Sequence, residues 1–390
     1  MTSKDKTPAQ ELAASENLTR RDFLATSSAL AAAALAANAP ASLVREKSNP
    51  SASYNSSATT AASKPLRVII DSDPGVDDAV AILLALRSPE LKIEAITAVS
   101  GNVPLELTLP NALRLVEIAG RTDIPVAAGA SHPLLRRLVT ARYAHGNNGL
   151  GGVDFPAPTT KPSRESANEL LRRIIRENPG QITIAAIGPL TNIATLLRSD
   201  PEIAPLIRGI AIMGGSLSGG NITPSAEFNF YADPEAARVV FDANLPLTMV
   251  GLDVTRKVLL TQDHVKALEA SHDPAGQAAG KIMRATIERV RQGSGSPTVA
   301  MHDPLTIAWL IDPSILTLRD YYVEVETSGE WTAGESVGFT RAPMRRSAPL
   351  DTSAPDTPDA EQTFKPNAKV AVEVDPDRFF KLLPRLTGAA

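Results

Sequence analysis

Leu66-Arg67-Val68-Ile69-Ile70-Asp71-Ser72-Asp73-Pro74-Gly75-Val76-Asp77-Asp78-Ala79, continuing through Val80-Ala81-Ile82-Leu83-Leu84-Ala85-Leu86, decides the fold. Leu66–Ile70 is a short, partly β-branched apolar run, the signature of a buried strand. Asp78–Leu86 has helical length and composition, and Pro74-Gly75 supplies the tight turn between them. Working outward, the same alternation recurs. Apolar runs at Ile93–Val99, Ile124–Ala128, Ile182–Ile187, Gly209–Met213 and Leu247–Val250 are separated by amphipathic stretches at Leu105–Ala119, Ser166–Arg176, Thr191–Arg198 and Pro234–Asp242. Strands buried on both faces and alternating with helices predict an α/β fold, Rossmann-like, with a mainly parallel central sheet flanked by helices. Further helices are expected at Thr261–Leu268, Ala275–Val290, Pro304–Ile311 and Asp377–Leu386, and strands at Tyr321–Glu326 and Ala368–Val374. Arg341–Thr363, rich in Pro, Ser and charge, reads as a mobile loop at 341–363. No internal repeat or second linker interrupts 65–390, so one domain is expected there.

Composition narrows the chemistry. Of 390 residues, 43% are hydrophobic and 21% charged, enough apolar content for a sizeable core. A formal net charge of −4 gives no general attraction to nucleic acid. Cysteine is absent, which excludes disulfides, a thiol nucleophile and thiolate metal sites. Residues 1–41 read as an address: Thr19-Arg20-Arg21-Asp22-Phe23-Leu24 precedes the uncharged, Ala-rich run Ala25–Ala37, with small-residue cleavage patterns ending at Ala39 and Ala41. This resembles a twin-arginine export signal, with a membrane anchor or a plain helix as the alternatives. The expectation is a periplasmic protein with no stable membrane insertion after cleavage. Residues 42–64, rich in Ser, Ala, Asn and Thr, read as a disordered linker.

The acids at the strand–helix join carry the chemical signal. Asp71, Asp73, Asp77 and Asp78 fall within eight residues, at the strand end where ligands bind in open α/β sheets. So close together they repel one another unless a cation neutralises them. All-oxygen ligation suits Ca²⁺ or Mg²⁺. Helix-dipole preference would explain Asp77 and Asp78 alone, leaving Asp71 and Asp73 unaccounted for. An EF-hand is excluded, because its sixth and twelfth positions would be Val76 and Ile82. An Asp-x-Asp phosphatase shares Asp71-x-Asp73 but not the Pro-Gly-x-Asp-Asp continuation.

Asp71–Ala79 is similar to the Asp-x-Asp-Pro-Gly-x-Asp-Asp-Ala opening of the inosine-uridine nucleoside hydrolases. Val99-Ser100-Gly101-Asn102, His145-Gly146, Gly188-Pro189-Leu190-Thr191-Asn192, Met213-Gly214-Gly215, Asn221, Glu227-Phe228-Asn229-Phe230, Asp233-Pro234-Glu235-Ala236 and His302-Asp303-Pro304 follow in that family's order. The resemblance covers about residues 65–386. It implies hydrolysis of the N-glycosidic bond of purine or pyrimidine ribonucleosides, with Ca²⁺ held by Asp73, Asp78, Asp303 and the backbone carbonyl of Thr191. It implies Asp73 as general base towards a calcium-bound water, and His302 as the group that helps the base leave. Asp77, Asn102, Asn221, Glu227 and Asn229 are implied as the ribose pocket, Met213 as its lining and His145 as a contact to the base or the 5′ side. Asp71 is expected only as support. Family members resemble homodimers and homotetramers.

One departure stands out. Where relatives often carry aromatic residues before His-Asp-Pro, Ile287–Ala300 has none. Its Gly and Ser content suggests a flexible lid that closes over substrate, and Arg289 or Arg291 reads either as a contact to the base or, as the favoured reading, as a solvated helix charge. Trp309 reads as core, and His132, His264 and His272 as surface. Two other functions compete: the metal-dependent phosphatase, and a non-catalytic exported receptor for nucleosides or ribose.

Overall fold

The period-two pattern of the opening strand already sets a layered architecture, with Val68 and Ile70 on one face and Ile69 on the other. The computed structural model describes residues 64–341 and 365–388. The export signal, the linker up to residue 63 and the expected loop beyond Arg341 lie outside the described residues. The strands are β1 Leu66–Ser72, β2 Leu91–Ala98, β3 Val126–Ala128, β4 Ile182–Ala186, β5 Gly209–Met213, β6 Leu247–Val250, β7 Leu259–Leu260, β8 Val299–Ala300, β9 Leu316–Val325, β10 Ser336–Phe339 and β11 Ala368–Val374. The helices are α1 Val76–Leu86, α2 Leu105–Ile118, α3 Arg142–His145, α4 Ala167–Glu177, α5 Thr191–Ser199, α6 Phe228–Ala232, α7 Pro234–Phe241, α8 Leu252–Thr255, α9 Gln262–Glu269, α10 Pro274–Ser294, α11 His302–Ile311 and α12 Pro376–Phe380.

Nine strands form one sheet in the order β10-β9-β11-β6-β5-β4-β1-β2-β3. Pairing is parallel from β11 to β3, and antiparallel only where β9 meets β11 and β10. The fold is therefore the mainly parallel α/β sheet expected from the sequence. The chain runs outward from β1 to β3, then returns to the other side of β1 as β4. That reversal opens a crevice beyond the carboxyl ends of β1 and β4. One apolar layer gathers α1, α2, α10 and α11, and the other gathers α4, α5 and α7. Every residue of α1 is buried, so the helix that follows the acid cluster is anchored along its whole length.

Besides short unread elements such as β7, β8, α3, α6 and α8, and a β9 that begins at Leu316 and not Tyr321, three differences bear on the site and the chain's end. Helix α10 does not stop at Val290 but continues to Ser294. The Ser294 hydroxyl donates to the Val290 carbonyl at 3.0 Å, and Gly295 closes the helix in the left-handed conformation at φ 77°. The expected flexible lid is thus largely helix. The carboxyl-terminal helix is split, with α12 ending at Phe380 and a 3₁₀ turn at Leu383–Thr387 that begins around Pro384. Strand β10 went unread, because a four-residue run containing Gly338 gives little periodic signal. Among the described residues, no helix is long and apolar enough to cross a membrane.

Candidate active site

The crevice holds a cavity of about 450 Å³. Its floor starts at the end of β1. Asp71, Asp73, Asp77 and Asp78 are all buried, and α11 brings in the equally buried Asp303. Each carboxylate has a different set of partners. Asp71 accepts from the Thr97 hydroxyl and from Asn192 Nδ2 at 2.8 Å, and so braces β1 against β2 and α5. Asp78 accepts from Ser72 Oγ at 2.6 Å, from the Gly75 amide at 2.9 Å and from Asn102 Nδ2 at 2.9 Å. Asp77 takes backbone hydrogen bonds from His302 and Asp303 at the start of α11, where the helix dipole favours a negative charge. Asp73 accepts the Asn102 amide on Oδ2 at 2.6 Å, while its Oδ1 is buried with no partner.

Desolvation raises all of these carboxyls, Asp71 to about 7 and Asp77 and Asp78 to about 6. Asp73 and Asp303 are also pushed up, first by burial and then by their acidic neighbours. No Lys or Arg pairs with any of them among the described residues. Five buried carboxyls with two orphaned oxygens, Asp71 Oδ2 and Asp73 Oδ1, and no basic partner form a site built for a cation.

Asn102 is drawn into this cluster and not towards open space, since its side chain donates to Asp78 and to the Asp73 carbonyl. Glu227 caps α6, accepting the amides of Asn229 at 2.9 Å, Phe230 at 3.2 Å and Gly215 at 3.0 Å. Burial still raises its carboxyl to about 7. Asn229 Nδ2 donates to the carbonyls of Met213 at 3.1 Å and Ile187 at 3.2 Å. Asp77, Asn102, His145, Met213, Asn221, Glu227, Asn229, His302 and Asp303 all line the cavity, with Asn221 at its exposed rim.

Two expectations change. Thr191 does not offer its carbonyl to the cluster: that oxygen accepts the Thr195 hydroxyl at 2.7 Å within α5, and the Thr191 hydroxyl donates to Asp233 at 2.6 Å. In the β4–α5 turn, it is the Ile187 carbonyl, just past β4, that meets a cavity-lining side chain, accepting from Asn229 at 3.2 Å. His302 was expected to deliver a proton near neutral pH, yet burial, helped by Arg256, holds it at about 4. The imidazole is neutral at pH 7, with Nδ1 2.8 Å from the Thr255 hydroxyl. His145 is neutral too. Its Nδ1 accepts the Val76 amide at 3.1 Å, and burial lowers it to about 3. Asp77, Asp78 and His145 bring ligand atoms within 4.8 Å of one another, but that amide engages Nδ1 and removes it from metal ligation.

Residues 68–381 match the family described as inosine-uridine preferring nucleoside hydrolase. The chain belongs to the inosine-uridine preferring nucleoside hydrolase family. The hydrolase is 41% identical over 323 residues to a protein of Citrobacter koseri named pyrimidine-specific ribonucleoside hydrolase RihA, covering 82% of this chain and 96% of the relative. Among solved structures, a plant nucleoside hydrolase superposes with a TM-score of 0.74 at 35% identity, covering 83% of this chain and 99% of that one. A purine-preferring ribonucleoside hydrolase from Gardnerella vaginalis gives 0.73 at 31%, covering 83% and 98%. The hydrolase is thus a ribonucleoside N-glycosidase with an acid-floored site.

Of the cavity wall facing this floor, the sequence offered only Arg289, as the alternative to a solvated helix charge. Thr286, Arg289, Val290 and Gly293 project into it from α10, joined by Ser294, Thr298 and, from α3, Tyr143. Their i, i+3, i+4, i+7 spacing marks one helical face, and it is the signal that could have found them. Trp309 packs partly buried against the core. His132 and His272 are exposed, and His264 is half-buried, stacked on Phe380 at 4.1 Å.

Proposed function

We propose that the cavity hydrolyses pyrimidine ribonucleosides to ribose and free base, with calcium on the acid floor and Asp73 as general base. One observation carries this reading: Asp73 Oδ1 lies buried and unpartnered among acids that have no basic residue to neutralise them. Hard oxygen donors are what calcium takes. Asp73, Asp78, Asp303 and the Ile187 carbonyl would hold it. Bound there, the ion supplies the charge that balances the acids, grips the ribose diol and makes a nearby water more acidic.

The protein's own groups do the rest. The Asn102 amide fixes Asp73 Oδ2, so the other oxygen is aimed to take the water's proton. Asp77, with backbone donors behind it, accepts from a ribose hydroxyl. Glu227, Asn229 and Asn221 close the sugar pocket, and Met213 lines it. His145 and His302 lie beside the departing base as neutral imidazoles and orient it by hydrogen bonding. The pyrimidine preference rests on the Citrobacter koseri relative.

The test is a reducing-sugar assay on uridine, cytidine, inosine and adenosine, before and after exhaustive chelation. Ribose release from the pyrimidine nucleosides, lost on chelation and restored by calcium, is expected. No release from any nucleoside overturns the activity, and release indifferent to chelation overturns the metal. Export rests on Arg20-Arg21 and the Ala-rich run. Replacing both arginines with lysine is expected to leave the protein in the cytoplasmic fraction of a bacterial host. The catalytic domain, 65–390, is proposed to assemble as a homodimer or homotetramer, which light scattering measures.

A further inference from the structure

Among the described residues, Arg289 is the one strong cation on the cavity wall, and it is poorly satisfied. Its Nη2 donates to the Gly151 carbonyl at 3.1 Å, tying α10 to the glycine loop after His145. Its Nη1 is buried with no hydrogen-bond partner. No acid pairs with it among the described residues, although exposed arginines elsewhere on the surface take Asp or Glu partners. The Gly146 backbone packs against the guanidinium, so a Cβ there would come within 3.1 Å of Nη2. His145 lies close enough to feel its charge. A guanidinium held by a single carbonyl, half-buried beside a cavity and without a carboxylate, lacks an acceptor that a ligand can bring.

The acid floor takes the sugar, so the base of a bound nucleoside faces α10. We propose that Arg289 is the base-anchoring residue of this enzyme, donating to the C2 carbonyl oxygen of a pyrimidine and holding the negative charge that gathers there as the base departs. This rests on the nucleoside hydrolase reading above and deepens it. As the C1′–N1 bond breaks, its electron pair passes to N1 and spreads onto O2. Water adds hydroxide to C1′, and its proton passes to Asp73 and then to the released base, so atoms and charge balance. A fixed cation at O2, with a buried Nη1 that has no partner in the protein, is placed to stabilise that charge. It also stands where Ile287–Ala300 has no aromatic side chain to stack on the base.

The experiment compares Arg289→Met with the unaltered enzyme on uridine, cytidine and para-nitrophenyl β-D-riboside. The aryl riboside has a good leaving group and no C2 carbonyl. Losing one charge-assisted hydrogen bond predicts that uridine and cytidine kcat/KM fall together, by about 10- to 100-fold relative to the aryl riboside. Arg289→Lys is expected to recover only part of the loss, because it keeps the charge without the fork. A parallel fall on all three substrates would mean that Arg289 merely supports the loop, and overturns the proposal. So would unchanged pyrimidine turnover, or a loss confined to uridine. An unaltered enzyme that cleaves the aryl riboside and no nucleoside would instead overturn the underlying reading, and this proposal with it.

Discussion

Asp73 sits between two glycines, and that packing can be turned against it. A Cβ built on Gly188 would lie 2.5 Å from Asp73 Oδ1 and 3.0 Å from the Asp73 amide nitrogen, and Gly188 has ordinary backbone angles. To reach ordinary contact near 3.4 Å, the carboxylate must withdraw by about 0.9 Å. It has nowhere to go. A Cβ on Gly101 would crowd Oδ2 from the other side, and Oδ2 is already held by the Asn102 amide at 2.6 Å. Gly188→Ala therefore misplaces Asp73, the proposed general base, by nearly an ångström while touching little else. A misplacement of that size costs roughly 100-fold in rate, or about 2.7 kcal/mol of transition-state stabilisation. The assay is kcat and kcat/KM for uridine at saturating calcium, with a melting curve beside it. The expected result is a fall of about two orders of magnitude and a raised calcium requirement, in a protein that still melts cooperatively. A Gly188→Ala enzyme within threefold of the unaltered rate would refute the placement of Asp73.

Other consequences follow from single observations. Because the pocket for the ribose hydroxyls is lined by buried Asp77, Glu227 and Asn229, deoxyuridine is expected to turn over about 10⁴-fold more slowly than uridine; comparable rates would contradict the sugar site. His145 and His302 are held at about 3 and 4, below the 6.5 of the unfolded chain. At these two groups the folded state binds fewer protons, so their own contribution to stability is lost as pH falls from about 6.5 towards 4, by up to ~1.4 kcal/mol per pH unit for each imidazole, against the opposite contribution of the raised carboxyls of Asp71, Asp77, Asp78 and Glu227. The urea midpoint of His302→Gln is expected to gain on that of the parent as pH falls across that range, and a constant difference would count against the buried neutral imidazole. Gly293 is helical, with open space around its Cβ position. Gly293→Ala is expected to stabilise the protein by about 0.5–1 kcal/mol, whereas a flexible lid there would show no rise in melting temperature.

The sheet was legible because its physics is periodic. Val68, Ile69 and Ile70 alternate between two apolar layers, and the helices between strands repeat every 3.6 residues, so the order of elements follows from local pattern. The acid cluster was legible because four carboxylates at one strand end need a reason beyond helix capping. The misses are the places where a distant contact decides. Which carbonyl of the β4–α5 turn faces the cavity depends on the path of the backbone: Thr191 is already within the helix, while Ile187 is not. The titration of His302 depends on burial and on Arg256, neither of which can be read from His-Asp-Pro. The end of α10 was expected at Val290 and the Gly- and Ser-containing residues after it as a flexible lid, although Gly295 is the residue that takes the left-handed cap.

The two walls of the cavity come from different kinds of structure, and this bears on how specificity is set. The floor is made by turns at the carboxyl ends of β1, β2, β4 and β5, each fixed by a buried strand on one side and a buried helix on the other. Its hydrogen bonds run between these turns, as from Asn102 to Asp78 or Asn229 to Ile187. A change to one member disturbs the rest, so this wall tolerates little variation. The opposite wall is one face of α10, and its cavity-facing side chains reach the floor only across open space. Thr286, Val290 and Gly293 can be exchanged at the cost of local helix packing alone, whereas Arg289 also ties the helix to the Gly151 carbonyl. Solved relatives superposing this well, one described as purine-preferring, fit such a division. On the proposed reading, the floor breaks the ribosyl bond and the helix opposite selects the base that leaves.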